Sequence, residues 1–171
     1  MDKTATIIMG IDPGTRKVGY AFVKKTAQFL TALDFGTVRP PAASPLIDRL
    51  FIILEALDQL VVKFQPNALA IETQFVKKNV EVALKLGMAR GMAMASIYKK
   101  KKISIFEYAP KKVKLAVVGS GNASKSQVQK MMQKLLNLSS LPKEDAADAL
   151  AIAVCHAHQN LNLEKKLCMT I

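Results

Sequence analysis

The amino-acid sequence predicts an α/β fold: a mixed five-stranded sheet, with three antiparallel strands followed by parallel ones, flanked by helices. Three observations predict it. The first third holds three strand-like runs separated by turn residues, the middle alternates helix-period and strand-like segments, and the last third has helical spacing throughout. With 171 residues, 50% of them hydrophobic, the chain can bury one substantial core and is short for two domains. Residues 1–158 are therefore read as one domain and residues 159–171 as a polar C-terminal tail.

The expected strands are Thr6 to Ile11, Val18 to Lys24 and Phe29 to Val38, divided by Pro13-Gly14-Thr15 and by a polar turn near Thr26 to Gln28. After Arg39-Pro40-Pro41, Ser44 is expected as an N-cap with Pro45 at the first helical position. Leu46, Leu50, Ile53, Leu54, Leu57, Leu60 and Val61 then recur at helical spacing as far as Phe64. Gln65-Pro66-Asn67 ends that helix. The apolar run Ala68 to Ile71 reads as a strand buried on both faces. A second helix is predicted from about Val80 to Tyr98 and a fifth strand from Ile103 to Tyr108. Two helices complete the chain. One opens on the capping-box pattern Ser124-Lys-Ser-Gln127 and runs to about Leu138, and the other runs from near Pro142 to about His158.

Lys and Arg number 25 against 13 Asp and Glu, a net charge of +12, which favours polyanionic partners and nucleic acid before others. No apolar run approaches the ~20 residues of a membrane span, and the short stretch Ala5 to Met9 is unlike a signal peptide, so a cytoplasmic protein is expected. Cys155 and Cys168 form neither a disulfide framework nor a metal-ligand pattern and read as structural thiols.

Two of the apolar strands end in acid, at Asp12 and at Glu72. A buried or half-buried carboxylate is costly unless paired, hydrogen-bonded or bound to a cation. Either residue alone could be a turn carboxylate. If the strands are parallel neighbours, however, the two acids lie side by side where open α/β sheets place their sites. Asp145 and Asp148, three apart in Glu144-Asp-Ala-Ala-Asp148, share a helix face and repel each other there. A metal site explains that spacing better than a solvated face, which stays the alternative. Glu144 is turned away from Asp145 and suits the helix dipole. An all-oxygen donor set points to Mg²⁺ or Mn²⁺ rather than zinc. His156 and His158, two apart on a helix, read as packing or surface residues.

Several segments together resemble the RuvC family of Holliday-junction resolvases. They are Gly10-Ile-Asp-Pro-Gly-Thr15 with Gly19-Tyr20, Ala70-Ile-Glu-Thr-Gln-Phe75, Ala83-Leu-Lys-Leu-Gly-Met-Ala-Arg-Gly91, Phe106-Glu-Tyr-Ala109, Val113-Lys114, Gly119 with Lys125-Ser-Gln-Val-Gln129, and Asp145-Ala-Ala-Asp-Ala-Leu-Ala-Ile152. They follow the family's order and cover nearly the whole chain. The resemblance implies an RNase H-like fold, a homodimer, and catalytic acids at Asp12, Glu72, Asp145 and Asp148. It also implies two Mg²⁺ ions per site, with Mn²⁺ able to substitute, one activating water and the other stabilising the leaving 3′ oxygen. The implied reaction is symmetric nicking of four-way junction DNA in recombination and repair, leaving ligatable 5′-phosphate and 3′-hydroxyl ends. A RuvA–RuvB branch-migration complex is the implied protein partner.

Lys114 and Lys125 match family lysines near the scissile phosphate, where fixed positive charge stabilises developing negative charge. Lys125 has separate support, since it lies in the first turn of a helix after Gly119-Ser-Gly-Asn-Ala123. Lys77, Lys78, Lys111 and Lys112 could line the DNA path or be ordinary surface charges. The run Lys99-Lys-Lys-Lys102 is better read as a helix end satisfying the dipole. Phe75 corresponds to a family aromatic that stacks on bases where the junction opens, the alternative being a core Phe at a strand end. Gly87, Gly91 and Ala95, four apart, give the second helix a smooth side that could meet a second copy or the chain's own sheet.

Three rival readings remain. An RNase H-like nuclease for structured RNA shares the first-strand Asp; an actin-like ATPase is suggested by Asp12 to Thr15 but lacks room for a second lobe. A junction-binding protein without catalysis gives no reason for four acids.

Overall fold

The computed structural model describes residues 5–73 and 80–159. The elements run β1 (Thr6–Asp12), β2 (Val18–Lys25), β3 (Leu30–Val38), α1 (Leu46–Phe64), β4 (Ala68–Glu72), α2 (Val80–Lys100), β5 (Ser104–Tyr108), α3 (Pro110–Val118), α4 (Lys125–Leu135) and α5 (Glu144–His158). The five strands form one sheet in the order β3-β2-β1-β4-β5. β2 is antiparallel to both β1 and β3, while β4 is parallel to β1 and β5, as the pattern of runs predicts. β1 and β4 thus sit at the centre, and Ile11 pairs with Ile71 so that Asp12 and Glu72 follow at the same level.

Strand alternation divides the core in two. Met9, Ile11, Leu69 and Ile71 face the helices α1 and α2, meeting Ile53, Leu57, Val61, Ala93 and Ile97. Ile8 and Ala70 face the other way, onto α5 with α3 and α4 around it. Asp12 and Glu72 are in phase with the second set, so both carboxylates belong to the α5 side of the sheet.

α5 is apolar nearly all round, with every residue from Ala149 to Ala157 buried, and it lies against the sheet with unusual closeness. A Cβ at Gly10 would collide with the Ala149 carbonyl, and one at Gly19 with the carbonyl of Asp145. Glycine at these two positions lets the helix backbone settle onto β1 and β2 and so fixes how far Asp145 and Asp148 stand from the strand-end acids. Gly19→Ala is therefore expected to cost about 1–3 kcal/mol of stability, the usual penalty for overpacking. Urea unfolding measures this, and a wild-type midpoint would contradict the close approach.

Three sequence-based expectations need correction. Pro45, not Ser44, is the N-cap residue of α1, with no side-chain cap bond, and the first helical residue is Leu46. The polar stretch after β5 is itself a helix, α3, with Pro110 at its first position and Val113 and Val117 turned inward. α4 stops at Leu135, short of Leu138, and Asn137 follows in the left-handed region at φ 50°. Its capping box between Ser124 and Gln127 is formed in both directions.

Candidate active site

Three elements deliver four acids to one place. Asp12 and Glu72 end the two central parallel strands, and Asp145 and Asp148 occupy the first turns of α5 where it crosses them. Their electrostatics show the convergence. Burial raises the Asp12 carboxyl from 3.8 to about 7, with the charges of Asp148 and Asp145 adding to it. Burial likewise raises Glu72 to about 7, helped by Asp12 and Asp148. Asp148 is pushed upward by burial first, against the pull of Lys125 and with the repulsion of Asp145. Asp12 feels both helical aspartates, Glu72 feels Asp12 and Asp148, and Asp148 feels Asp145, so the acids are linked in one region of excess negative charge that favours either protons or cations.

Asp145 is the most enclosed of the described acids, 7% exposed, and two cations hold its carboxylate. Lys17 Nζ lies 2.5 Å from Oδ1, and Arg39 donates to Oδ2 at 3.5 Å. Lys17 comes from the tight β1–β2 turn, and Arg39 from the residue after β3. Sequence reasoning missed both. Their contacts depend on the register of the antiparallel hairpin, which brings Val18 opposite Val38, and no local pattern encodes that.

Lys125, in the first turn of α4, is bonded to Glu144 Oε2 at 2.8 Å, and this bond is the main reason its ammonium is held more basic than usual. Lys125 also acts electrostatically on Asp148 and Asp12. Glu144, expected only as a helix-dipole residue, thus also steadies the lysine. Lys114, on α3, is half-buried and near enough to the acids to lower both Glu72 and Asp148. Lys111 and Lys112 are exposed, and Lys112 leans over the Tyr108 ring at 5.4 Å rather than toward the acids. Phe75, Lys77 and Lys78 lie outside the described residues, as does Cys168.

The remaining expectations sort by burial. Tyr108 bonds His156 Nδ1 through its hydroxyl at 2.6 Å, so His156 is a packing residue, while His158 is exposed. Cys155 is buried. In the lysine run, Lys100 pairs with Asp58 of α1 at 3.3 Å and Lys101 donates to the Gln65 carbonyl at 3.0 Å. Gly87, Gly91 and Ala95 are exposed, and nothing lies within 4 Å of a Cβ built on either glycine. The smooth side of α2 thus faces away from its own sheet.

The donor chemistry of the site suits a hard divalent cation: four carboxylates, three of them driven upward by burial and mutual repulsion, and no sulfur or imidazole among them. Among the described residues no three acidic, histidine or cysteine side chains are already gathered as a finished ion cage. The Lys17 and Arg39 contacts explain this for Asp145, whose oxygens are engaged elsewhere.

A family model described as "Crossover junction endodeoxyribonuclease RuvC" matches residues 8–156. The protein of that name from Protochlamydia amoebophila (strain UWE25) is 52% identical over 152 residues, covering 88% of this chain and 90% of that protein. Among solved structures, T. thermophilus RuvC in complex with a Holliday junction substrate superposes with a TM-score of 0.81 at 32% identity, covering 89% of this chain and 93% of the other. The yeast mitochondrial Holliday junction resolvase shares the fold, with a TM-score of 0.65 at 17% identity over 89% of this chain and 79% of that one.

Proposed function

Because this chain belongs to the RuvC family of crossover junction endodeoxyribonucleases, we propose that it resolves Holliday junctions by symmetric nicks in two strands, during homologous recombination and DNA repair. The observation that carries this is the gathering of Asp12, Glu72, Asp145 and Asp148 into one repulsive field at the carboxyl ends of β1 and β4. A binding protein would gain nothing from it. Four mutually repelling acids weaken both the fold and the attraction for DNA.

As a RuvC nuclease the protein depends on a divalent metal. Two Mg²⁺ ions, with Mn²⁺ as a substitute, fit the all-oxygen donor set. When bound, they supply Lewis acidity for water activation and for the charge on the leaving 3′ oxygen. Asp12, which feels acids from both β4 and α5, would be the central ligand. Glu72 would hold the ions from one side, and the helical pair Asp145 and Asp148 from the other. Lys114, which acts on Glu72 and Asp148, and Lys125, which acts on Asp148 and Asp12, would supply fixed positive charge near a scissile phosphate. Glu144 would orient the Lys125 ammonium through its hydrogen bond.

The products expected are 5′-phosphate and 3′-hydroxyl nicks, ready for ligase. Lys77, Lys78, Lys111 and Lys112 would extend the cationic track for the arms, and Phe75 would stack on an unpaired base at the crossover. A substrate panel tests the reading. Four-way DNA should be cut, while linear duplex and structured RNA remain intact under the same Mg²⁺ conditions. Preferential cutting of the RNA would overturn it.

Two cuts across a four-way junction need two sites related by a twofold axis, so the working form is a homodimer. The exposed row Gly87, Gly91 and Ala95, bordered by exposed Leu84 and Met88, offers the face on which a second α2 could pack closely. Leu84→Glu is expected to shift the protein to monomer on light-scattering chromatography. A dimer unaffected by it would move the interface elsewhere. A RuvA–RuvB branch-migration complex is the natural supplier of mobile junctions to such an enzyme. None of the described helices is long and apolar enough to cross a membrane. Its DNA substrate accords with a cytoplasmic setting, with residues 1–158 as the catalytic domain.

A further inference from the structure

We propose that Lys17 and Arg39 form a cationic clamp on Asp145 that competes with the divalent ion for this carboxylate and is drawn off it by the phosphates of bound DNA, so that substrate and metal bind with positive coupling. The proposal rests on the metal-centre reading of the four acids and adds to it a device for timing.

The clamp is complete in its chemistry. One cation takes each carboxylate oxygen, Lys17 on Oδ1 and Arg39 on Oδ2. An ion at Asp145 would place two positive charges within contact distance of the lysine's one. In a part-buried pocket that repulsion makes the clamped and metal-bound arrangements exclude each other.

Exposure makes the clamp releasable. The Asp145 side chain is only 10% exposed, but those of Lys17 and Arg39 are 48% and 60% exposed, so a large polyanion can reach the cations without entering the acid cluster. A partly solvated pair of this kind is weak enough for phosphate to compete with it. Arg39 also opens onto a groove of about 410 Å³ lined by Ser140 and Lys143 beside the apolar Phe35, Leu141 and Pro142. Ser140 and Lys143 offer a hydroxyl and an ammonium there, groups of the kind that contact a nucleic-acid backbone. Neither clamp residue belongs to an element that carries an acid in its regular structure: Lys17 follows β1 in a turn, and Arg39 follows β3. They can therefore move while β1, β4 and α5 keep the acids in place.

Thermodynamic linkage gives the consequence. If DNA removes the clamp and the clamp opposes the ion, DNA must tighten ion binding, and the ion must tighten DNA binding by the same factor. The enzyme would hold its metal weakly until a junction is seated.

The test is calorimetric titration of Ca²⁺, whose flexible oxygen coordination suits such a site, into the full-length protein alone and into its complex with a four-way junction, with ion binding to free junction subtracted. Lys17→Met is expected to tighten Ca²⁺ binding to the free protein roughly fivefold, about what one part-exposed ion pair contributes. Lys17→Met with Arg39→Gln should tighten it further. Arg16→Met removes the same charge from the same turn without touching the Asp145 pairs, and should change affinity less than about twofold, the screened effect of a surface charge. The junction should tighten Ca²⁺ binding to the wild type and leave the double variant nearly unchanged. Equal affinities in wild type and both clamp variants would overturn the clamp. Ca²⁺ binding that survives Asp12→Asn undiminished would overturn the metal centre itself, and the clamp with it.

Discussion

Asp12→Asn is expected to reduce junction cleavage by at least about a thousandfold, the upper scale for losing one group that stabilises a transition state, while affinity for the junction stays within about threefold of wild type. Asp12 is the acid on which the others converge. It lies level with Glu72 across the β1–β4 pairing and feels Asp148 and Asp145 from α5. An amide keeps the shape but gives up the charge that holds a cation. Binding should survive because the cations available to DNA, among them Lys114, Lys125 and the exposed Lys111 and Lys112, are untouched. Gel shift in EDTA and cleavage in Mg²⁺ on the same junction separate the two effects. Equal loss of both would mean that the substitution had damaged the fold.

The same substitution should make the metal-free protein more stable at alkaline pH. The Asp12 carboxyl titrates near 7 in the folded protein against 3.8 for the ordinary group, and Glu72 near 7 against 4.5. Both pKa values are raised, so the folded state binds more protons than the unfolded one between these limits. The stability they contribute is fully present below the unfolded pKa and is lost as pH rises through about 7. His156 works in the opposite sense. Burial lowers its imidazole from 6.5 to about 4, so its contribution is lost as pH falls through that window.

Comparing wild type with Asp12→Asn cancels the histidine. The stability advantage of the variant in EDTA should grow by about 1–2 kcal/mol from pH 5 to pH 8, allowing for solvent around a half-buried group. That corresponds to roughly 3–6 °C in thermal midpoint for a chain of this size. Mg²⁺ should erase much of the difference by stabilising only the wild type. A pH-independent gap between the two proteins would show that Asp12 titrates normally.

Much of this site was legible in the sequence, for identifiable reasons. Apolar runs that stop at Asp12 and Glu72 announce strands with a charge at their ends, and the parallel β1–β4 pairing then brings those ends together. Asp145 and Asp148 were legible because helical spacing is local. Most of the unread features depend on distant chain segments. Lys17 and Arg39 reach Asp145 only after the hairpin and α5 have assembled, and Gly10 and Gly19 matter only because a helix backbone lies on them. α3 escaped for another reason. It is nine residues long, three of them lysines, and its inward face reduces to Val113 and Val117. A pattern that short does not rise above that of a loop.

The central claim is that four convergent acids make this a metal-dependent junction nuclease. Incubating the purified protein with a mobile four-way junction, with Mg²⁺ or with EDTA, and then adding ligase tests it most directly. Paired, symmetric nicks are expected only in Mg²⁺, and ligase should seal them without further processing. Cleavage that persists in EDTA, or ends that ligase cannot join, would contradict it.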